Sequence, residues 1–173
     1  LMKLWIKIIL IITSVIIALI LSMFLFINYI STPSKGVPIK QYDRPAKALL
    51  VIDTQEDYLG EHAKMKANYQ DIDLFFQRIN AIQYSASLRG MKIIYIRQEF
   101  DGIFGQMMSK VFMKGTTIKG TEGAKMDKRL QFFSNIDFTK DRGDAFTNPK
   151  LDEYLIENQV DELYLCGIDG EYC

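Results

Sequence analysis

Hydrophobic and polar positions divide the chain into two unlike parts. From Ile8 to Ile30, in IILIITSVIIALILSMFLFINYI, no charged residue occurs. At about 1.5 Å per helical residue, such a run crosses a hydrocarbon core of roughly 30 Å. Trp5 and Tyr29 bracket it, where interfacial aromatics are expected. A cleaved leader has a shorter apolar core, about 7–15 residues, and ends at a small-x-small site. This run is longer and lacks a clear A-x-A, so residues 1–30 read as a retained, single-pass membrane anchor. Lys3 and Lys7 precede the run; Lys35, Lys40, Arg44 and Lys47 follow it. Counting charges at both ends leans toward a cytoplasmic domain. A short basic tail kept inside places the domain on the opposite side, and the pattern leaves both orientations open. Residues 31–46 hold three of the four prolines and read as an extended tether.

From residue 47 onward the pattern changes. Ala48 to Ile52 is a continuous apolar run, suited to a strand buried on both faces of a parallel sheet, and it ends abruptly in Asp53. Ile72, Phe75, Phe76, Ile79, Ile82 and Ala86 recur at spacings of three and four, which predicts one face of a helix closed by Gly90. Lys92 to Arg97 predicts a second strand. Residues 101–127 hold five of the eleven glycines and no long apolar period, and read as a loop covering a site. NIDFTK predicts a short strand ending at Lys140. Thr147 or Asn148 then caps a helix with Pro149 at its first position and Leu151, Leu155 and Ile156 as its buried stripe. Glu162 to Cys166 predicts a last strand. Strand alternating with helix implies an α/β fold, a parallel sheet with helices on its faces.

Composition narrows the function. Twenty-one basic and 21 acidic side chains balance, so no basic excess points to nucleic acid. Two cysteines are too few for a disulfide scaffold. The single histidine, His62, lies in the polar stretch GEHAK and reads as a solvated loop residue. Its solitude argues against most zinc sites and against histidine-based nucleophile chemistry. No metal and no cofactor is expected.

In open parallel sheets, ligands bind beyond the carboxyl ends of the strands. Asp53, Lys140 and Cys173 sit at or just past such ends. A thiol is a poor nucleophile until it loses its proton. A carboxylate could accept that proton, and a nearby ammonium favours the thiolate. The three therefore hold the parts for covalent attack on a carbonyl. Taken singly, Asp53 reads equally well as a turn residue, Lys140 as a solvated charge and Cys173 as an inert thiol. Cys166, following Leu165 within a strand, reads as a small core residue.

Four segments carry a resemblance. ALLVIDTQEDY resembles the opening motif of the isochorismatase-like cysteine hydrolases, a strand followed by Asp-x-Gln. KGTEGAKMD is similar to their Gly-Thr-x-Gly-Ala segment, KDRGDAF to their lysine motif, and GIDGEYC to their Gly-x-x-Thr-x-x-Cys. All four occur in order with fitting intervals, over residues 47–173. The resemblance implies a three-layer, Rossmann-like domain with Asp53 as general base, Lys140 orienting it, and Cys173 as nucleophile. It also implies oxyanion donors in the backbone N–H groups of Asp169 and Cys173, a cis peptide between Ile168 and Asp169, and a supporting role for Gln55. The implied reaction is hydrolysis of a non-peptide C–N bond in a small amide through an acyl-enzyme. A vinyl ether is the less favoured substrate.

Departures from the motifs matter. Gly170 stands in place of the usual threonine, and Asp169 in place of a small residue. A carboxylate pointing inward there would raise the thiol pKa. RQEFDGIFGQ, after the second strand, lacks the histidines of the metal-dependent nicotinamidases. The resemblance also implies a helix and further sheet after Cys173. The domain is thus expected to be incomplete at its C-terminus, and this polypeptide alone inactive and poorly stable. The alternative is a catalytically inactive, membrane-anchored binding or scaffold domain of the same fold; a Cys166–Cys173 redox pair is a third reading, though its spacing lacks C-x-x-C geometry. The partners implied are a small amide, the membrane and, compatibly with these, a second copy of the chain in a homo-oligomer.

Overall fold

A computed structural model describes residues 2–168, with the side chains at 2, 3, 29 and 30 outside the description. The chain divides into two units, Leu1–Pro33 and Ser34–Cys173.

In the first unit, α1 (Met2–Ser31) is a single helix. Its segment Leu4–Asn28, 25 residues with mean hydropathy 3.1, is long and apolar enough to cross a membrane. Three polar side chains within it turn back on their own helix: Ser14 Oγ donates to Leu10 O at 2.7 Å, Ser22 Oγ to Leu19 O at 3.0 Å and Asn28 Nδ2 to Phe24 O at 2.9 Å. Such local bonds satisfy polar groups where water is absent.

In the second unit, β1 (Ala46–Ile52), β2 (Lys92–Gln98), β3 (Asp137–Lys140) and β4 (Val160–Gly167) form one sheet in the order β3-β2-β1-β4. Every pairing is parallel. β1 is central, which is why its apolar run is unbroken. Because side chains alternate across a strand, it feeds two cores. Leu49 and Val51 pack with Tyr95 and with Phe76, Ile79 and Ala86 of α3 (Ile72–Leu88). Ala48, Leu50 and Ile52 pack with Ile94, Ile96 and with Leu151 and Leu155 of α5 (Pro149–Glu157).

A short helix, α2 (Glu56–Leu59), follows the turn after β1. α3 starts at Asp71, whose carboxylate accepts from Leu74 N at 2.8 Å, and ends before Gly90, where φ is +69°. Its buried face differs from the predicted one at one position. Ile82 is 45% exposed and Gln83 is fully buried. The polar side chain is matched across the layer: Tyr95 Oη donates to Gln83 Oε1 at 2.7 Å and accepts from Phe133 N at 2.8 Å.

Residues 101–127 are not one loop. They contain α4 (Gly102–Phe112) and a 3-10 turn at Glu122–Ala124. The helix escapes a search for a core-facing stripe because its buried residue is Ser109 while Ile103, Met107 and Val111 face solvent. α5 (Pro149–Glu157) begins as its sequence predicts, with Asn148 Oδ1 accepting from Lys150 N at 3.1 Å and Pro149 in the first turn. Leu151 and Leu155 are buried, but Ile156 is only half-buried. Cys166 is also half-buried rather than enclosed. It packs against the Tyr95 core, and burial pushes its thiol up to about 11. Between Ser31 and Ala46 the chain forms neither helix nor strand, and Ser34 N donates to Asp144 Oδ2 at 2.7 Å.

Tyr95→Phe strips Gln83 Oε1 and Phe133 N of their buried partner. We expect it to lower stability by about 1–3 kcal/mol, the usual cost of stranding buried polar groups. Adding Gln83→Leu should cost less than the two single changes together. Denaturant unfolding of the full chain in detergent checks both, and strict additivity would refute the coupling.

Candidate active site

β1 ends at Ile52, and the chain turns at once through Asp53, whose φ is +52°. Few side chains accept this left-handed geometry; aspartate is among the more tolerant. Asp53 N donates to Ile96 O at 2.9 Å, and Gln55 N donates to Asp53 O at 2.8 Å. The turn thus withdraws Asp53 from solvent to 3% exposure. Lys140, the last residue of β3, is equally buried. Its Nζ lies 2.8 Å from Asp53 Oδ2 and donates to Gln98 Oε1 at 3.3 Å. Gln98 is the last residue of β2. Three adjacent parallel strands therefore deliver a carboxylate, an amide and an ammonium to one end of the sheet. Lys140 here is no solvated charge. The end of β3 is itself pinned, with Glu99 N donating to Lys140 O at 2.8 Å and Asn148 Nδ2 to Thr139 O at 2.8 Å.

Gln55 is fully buried and works as a clip. Its Oε1 accepts from Gln98 N at 2.8 Å, and its Nε2 donates to Gln98 O at 2.9 Å and Ala124 O at 2.7 Å. It thereby joins the end of β2 to the segment that follows α4. Asp57 adds a second fastening: its carboxylate accepts from Thr117 N at 2.7 Å and packs so tightly on Gly123 that a Cβ there would collide with it. Asp127 N donates to Thr54 O at 2.8 Å. The Gly-Thr-x-Gly-Ala segment thus straps the turn that carries Asp53.

Gln98 and Asp57 were not singled out from the sequence. Gln98 stands at the end of β2 as Asp53 stands just past the end of β1, and that position was the available signal. Among the described residues Gln98 Nε2 has no hydrogen-bond partner, although Gln98 is only 5% exposed. Ile168 follows β4 and donates its N–H to Ile52 O at 3.0 Å. Asp169, Cys173 and the peptide bond between Ile168 and Asp169 lie outside the described residues.

The isochorismatase domain profile matches residues 47–173. The chain belongs to the isochorismatase family. No curated protein sequence matches it. Among solved structures, a nicotinamidase from Bacillus subtilis is 25% identical, with 70% of each chain covered and a TM-score of 0.60. A cysteine hydrolase from Pseudomonas syringae pv. phaseolicola, at 19% identity, TM-score 0.65, 79% of this chain and 67% of that one, matches in fold. So does a pyrazinamidase of Pyrococcus horikoshii in complex with zinc, at 21% identity, TM-score 0.61, 75% of this chain and 74% of that one. The fold is that of the isochorismatase-like hydrolases.

Among the described residues, the acidic side chains that follow β2 are held in ion pairs. After β2, Glu99 is paired with Arg97 at 3.1 Å, and Asp101 with Lys119 at 2.6 Å and with Gly102 N at 2.7 Å. His62 is exposed. Among the described residues no three His, Cys, Asp or Glu side chains come together to hold an ion.

Removing one member of a buried ion pair leaves a desolvated charge, typically at a cost of about 3–5 kcal/mol. Lys140→Met should therefore destabilise the chain by roughly that amount. Asp53→Asn in the same chain should restore part of the loss. A denaturant midpoint unchanged by Lys140→Met would show that the pair contributes little to the fold.

Proposed function

We propose that this chain is a cysteine hydrolase acting on a non-peptide C–N bond of a small amide, with Cys173 as nucleophile, Asp53 as base and Lys140 as the cation that orients Asp53 and stabilises the thiolate. The observation that carries the reading is the buried Asp53–Lys140 contact at 2.8 Å, at the carboxyl ends of parallel strands. The motif resemblance supplies Cys173 and the backbone N–H groups of Asp169 and Cys173. The Bacillus subtilis neighbour, a nicotinamidase, supports an amide over a vinyl ether.

In this mechanism Asp53 takes the proton from Cys173 Sγ, and sulfur bonds to the amide carbon. The carbonyl oxygen becomes an oxyanion facing the two N–H groups, which act on charge present only in the transition state. The carbon–nitrogen bond breaks, and the amine leaves with the proton held by Asp53. Water then adds to the thioester, again giving a proton to Asp53, and the acid departs as the thiol re-forms. Gln55 supports the site by holding the ends of β1 and β2 in register. The buried Gln98 Nε2 is a donor available to a substrate oxygen.

The N-terminal segment completes the proposal. Leu4–Asn28 serves as a retained single-pass anchor, and residues 32–45 tether the domain to it. Length and hydropathy support this, as do the bonds of Ser14, Ser22 and Asn28 to their own helix.

Thiol reactivity tests the chemistry. Cys166, pushed up to about 11 by burial, stays protonated at neutral pH and gains reactivity only as pH climbs toward that value. It is an internal control. At pH 7, iodoacetamide followed by peptide mapping of a polypeptide extended past Cys173 through the helix that the motif resemblance implies should label Cys173 well ahead of Cys166. Asp53→Asn or Lys140→Ala should slow Cys173 by roughly tenfold or more and leave Cys166 unchanged. A Cys173 as sluggish as Cys166, indifferent to both changes, would instead support a catalytically inactive binding domain. Gly170 and Asp169 in the third motif are the features that favour that outcome.

A further inference from the structure

α4 is an amphipathic helix laid against its own domain with the wrong face inward. Small and polar residues make its inner contacts. Gly105 sits 3.6 Å from Phe100 at the position a Cβ would occupy, and Ser109 Oγ donates to Thr116 O at 2.5 Å. Gly115 N donates to Ser109 O at 2.9 Å. The outer face is apolar: Ile103 is 93% exposed, Met107 49% and Val111 65%. A helix of a globular domain ordinarily turns such a stripe toward the core, and a contiguous exposed apolar surface marks an interaction site.

Two further observations name the occupant. The first is charge. Lys110 borders the apolar stripe and Lys114 follows the helix, both exposed. Lys64 reaches the same end, donating from Nζ to Gly115 O at 2.6 Å, but it lies 3.7 Å from Asp57 Oδ2 and adds no net charge there. Asp101 at the opposite end is neutralised by Lys119 at 2.6 Å. Apolar side chains flanked by lysines are the composition of helices that lie in the headgroup region of a bilayer. The second is reach. Residues 32–45 separate α1 from β1 and extend at most about 45–50 Å, so a domain on this tether never leaves the neighbourhood of the membrane that α1 spans.

We propose that α4 docks on the lipid bilayer, with Ile103, Met107 and Val111 buried among the upper acyl chains and Lys110 and Lys114 on anionic headgroups. The proposal rests on α1 being a retained anchor. It gives the domain a second, non-covalent hold on the membrane surface.

The experiment uses the full chain, reconstituted into phosphatidylcholine vesicles with or without phosphatidylserine. Trp5→Phe removes the only tryptophan, and Ile103→Trp then places a single indole at the exposed start of α4. The indole should emit at shorter wavelength than in the detergent-solubilised chain and be quenched by lipids brominated near the top of the acyl chain. Lys110→Glu with Lys114→Glu should abolish much of this quenching, most strongly in the vesicles with phosphatidylserine. Extraction with alkaline carbonate separates the two readings. A chain that resists extraction while its indole goes unquenched overturns the docking of α4 alone. A chain that is extracted and unquenched overturns the anchor as well. A blue-shifted indole that brominated lipid does not quench, and whose shift fades on dilution in detergent, assigns the face to a second copy of the chain and likewise overturns the proposal.

Discussion

A buried ammonium held 2.8 Å from a buried carboxylate is the constraint around which the second unit is built. Neither charge is tolerable alone in a desolvated site. Asp53 requires β1 and β2 to be in register, because its N–H is bound to Ile96 O. Lys140 requires β3 to end beside them. Correct pairing of three strands is thus coupled to the neutralisation of one charge by the other. A slip of one residue in β3 would turn Lys140 to the opposite face of the sheet.

The strap over this pair follows the same logic. Gln55 satisfies both backbone groups of Gln98 and also reaches Ala124 O. Asp57 receives Thr117 N and occupies the space left by Gly123. One short turn after β1 therefore organises two distant parts of the chain. Its side chains are polar because their partners are backbone groups at the end of β2 and in the segment after α4. The same residues that shield the pair from water keep the segment after α4 in place.

How much of this was legible in the sequence depended on what each side chain faces. β1 was readable because burial on both faces makes it continuously apolar. The start of α5 was readable because Asn148 and Pro149 act within one turn. The strand ends were enough to bring Asp53 and Lys140 to a common edge. Gln83 was not readable as a core residue, since its justification lies across the layer in Tyr95. α4 was passed over because its apolar residues point away from the core and its glycines imitate a loop. Gln98 looked like an ordinary polar residue ending a strand; only its neighbours show that its amide lies in the site. The roles of Asp169 and Cys173 rest on motif alone.

Gly167 stands where β4 passes β1, with φ +126°, and a Cβ there would strike the backbone of Ile52, the residue before Asp53. Every amino acid that a single-base change can put in place of glycine carries a Cβ. Any such change forces β4 away from the backbone of Ile52. The spacing between β4 and the turn that holds Asp53 is thus set by the one residue that lacks a Cβ.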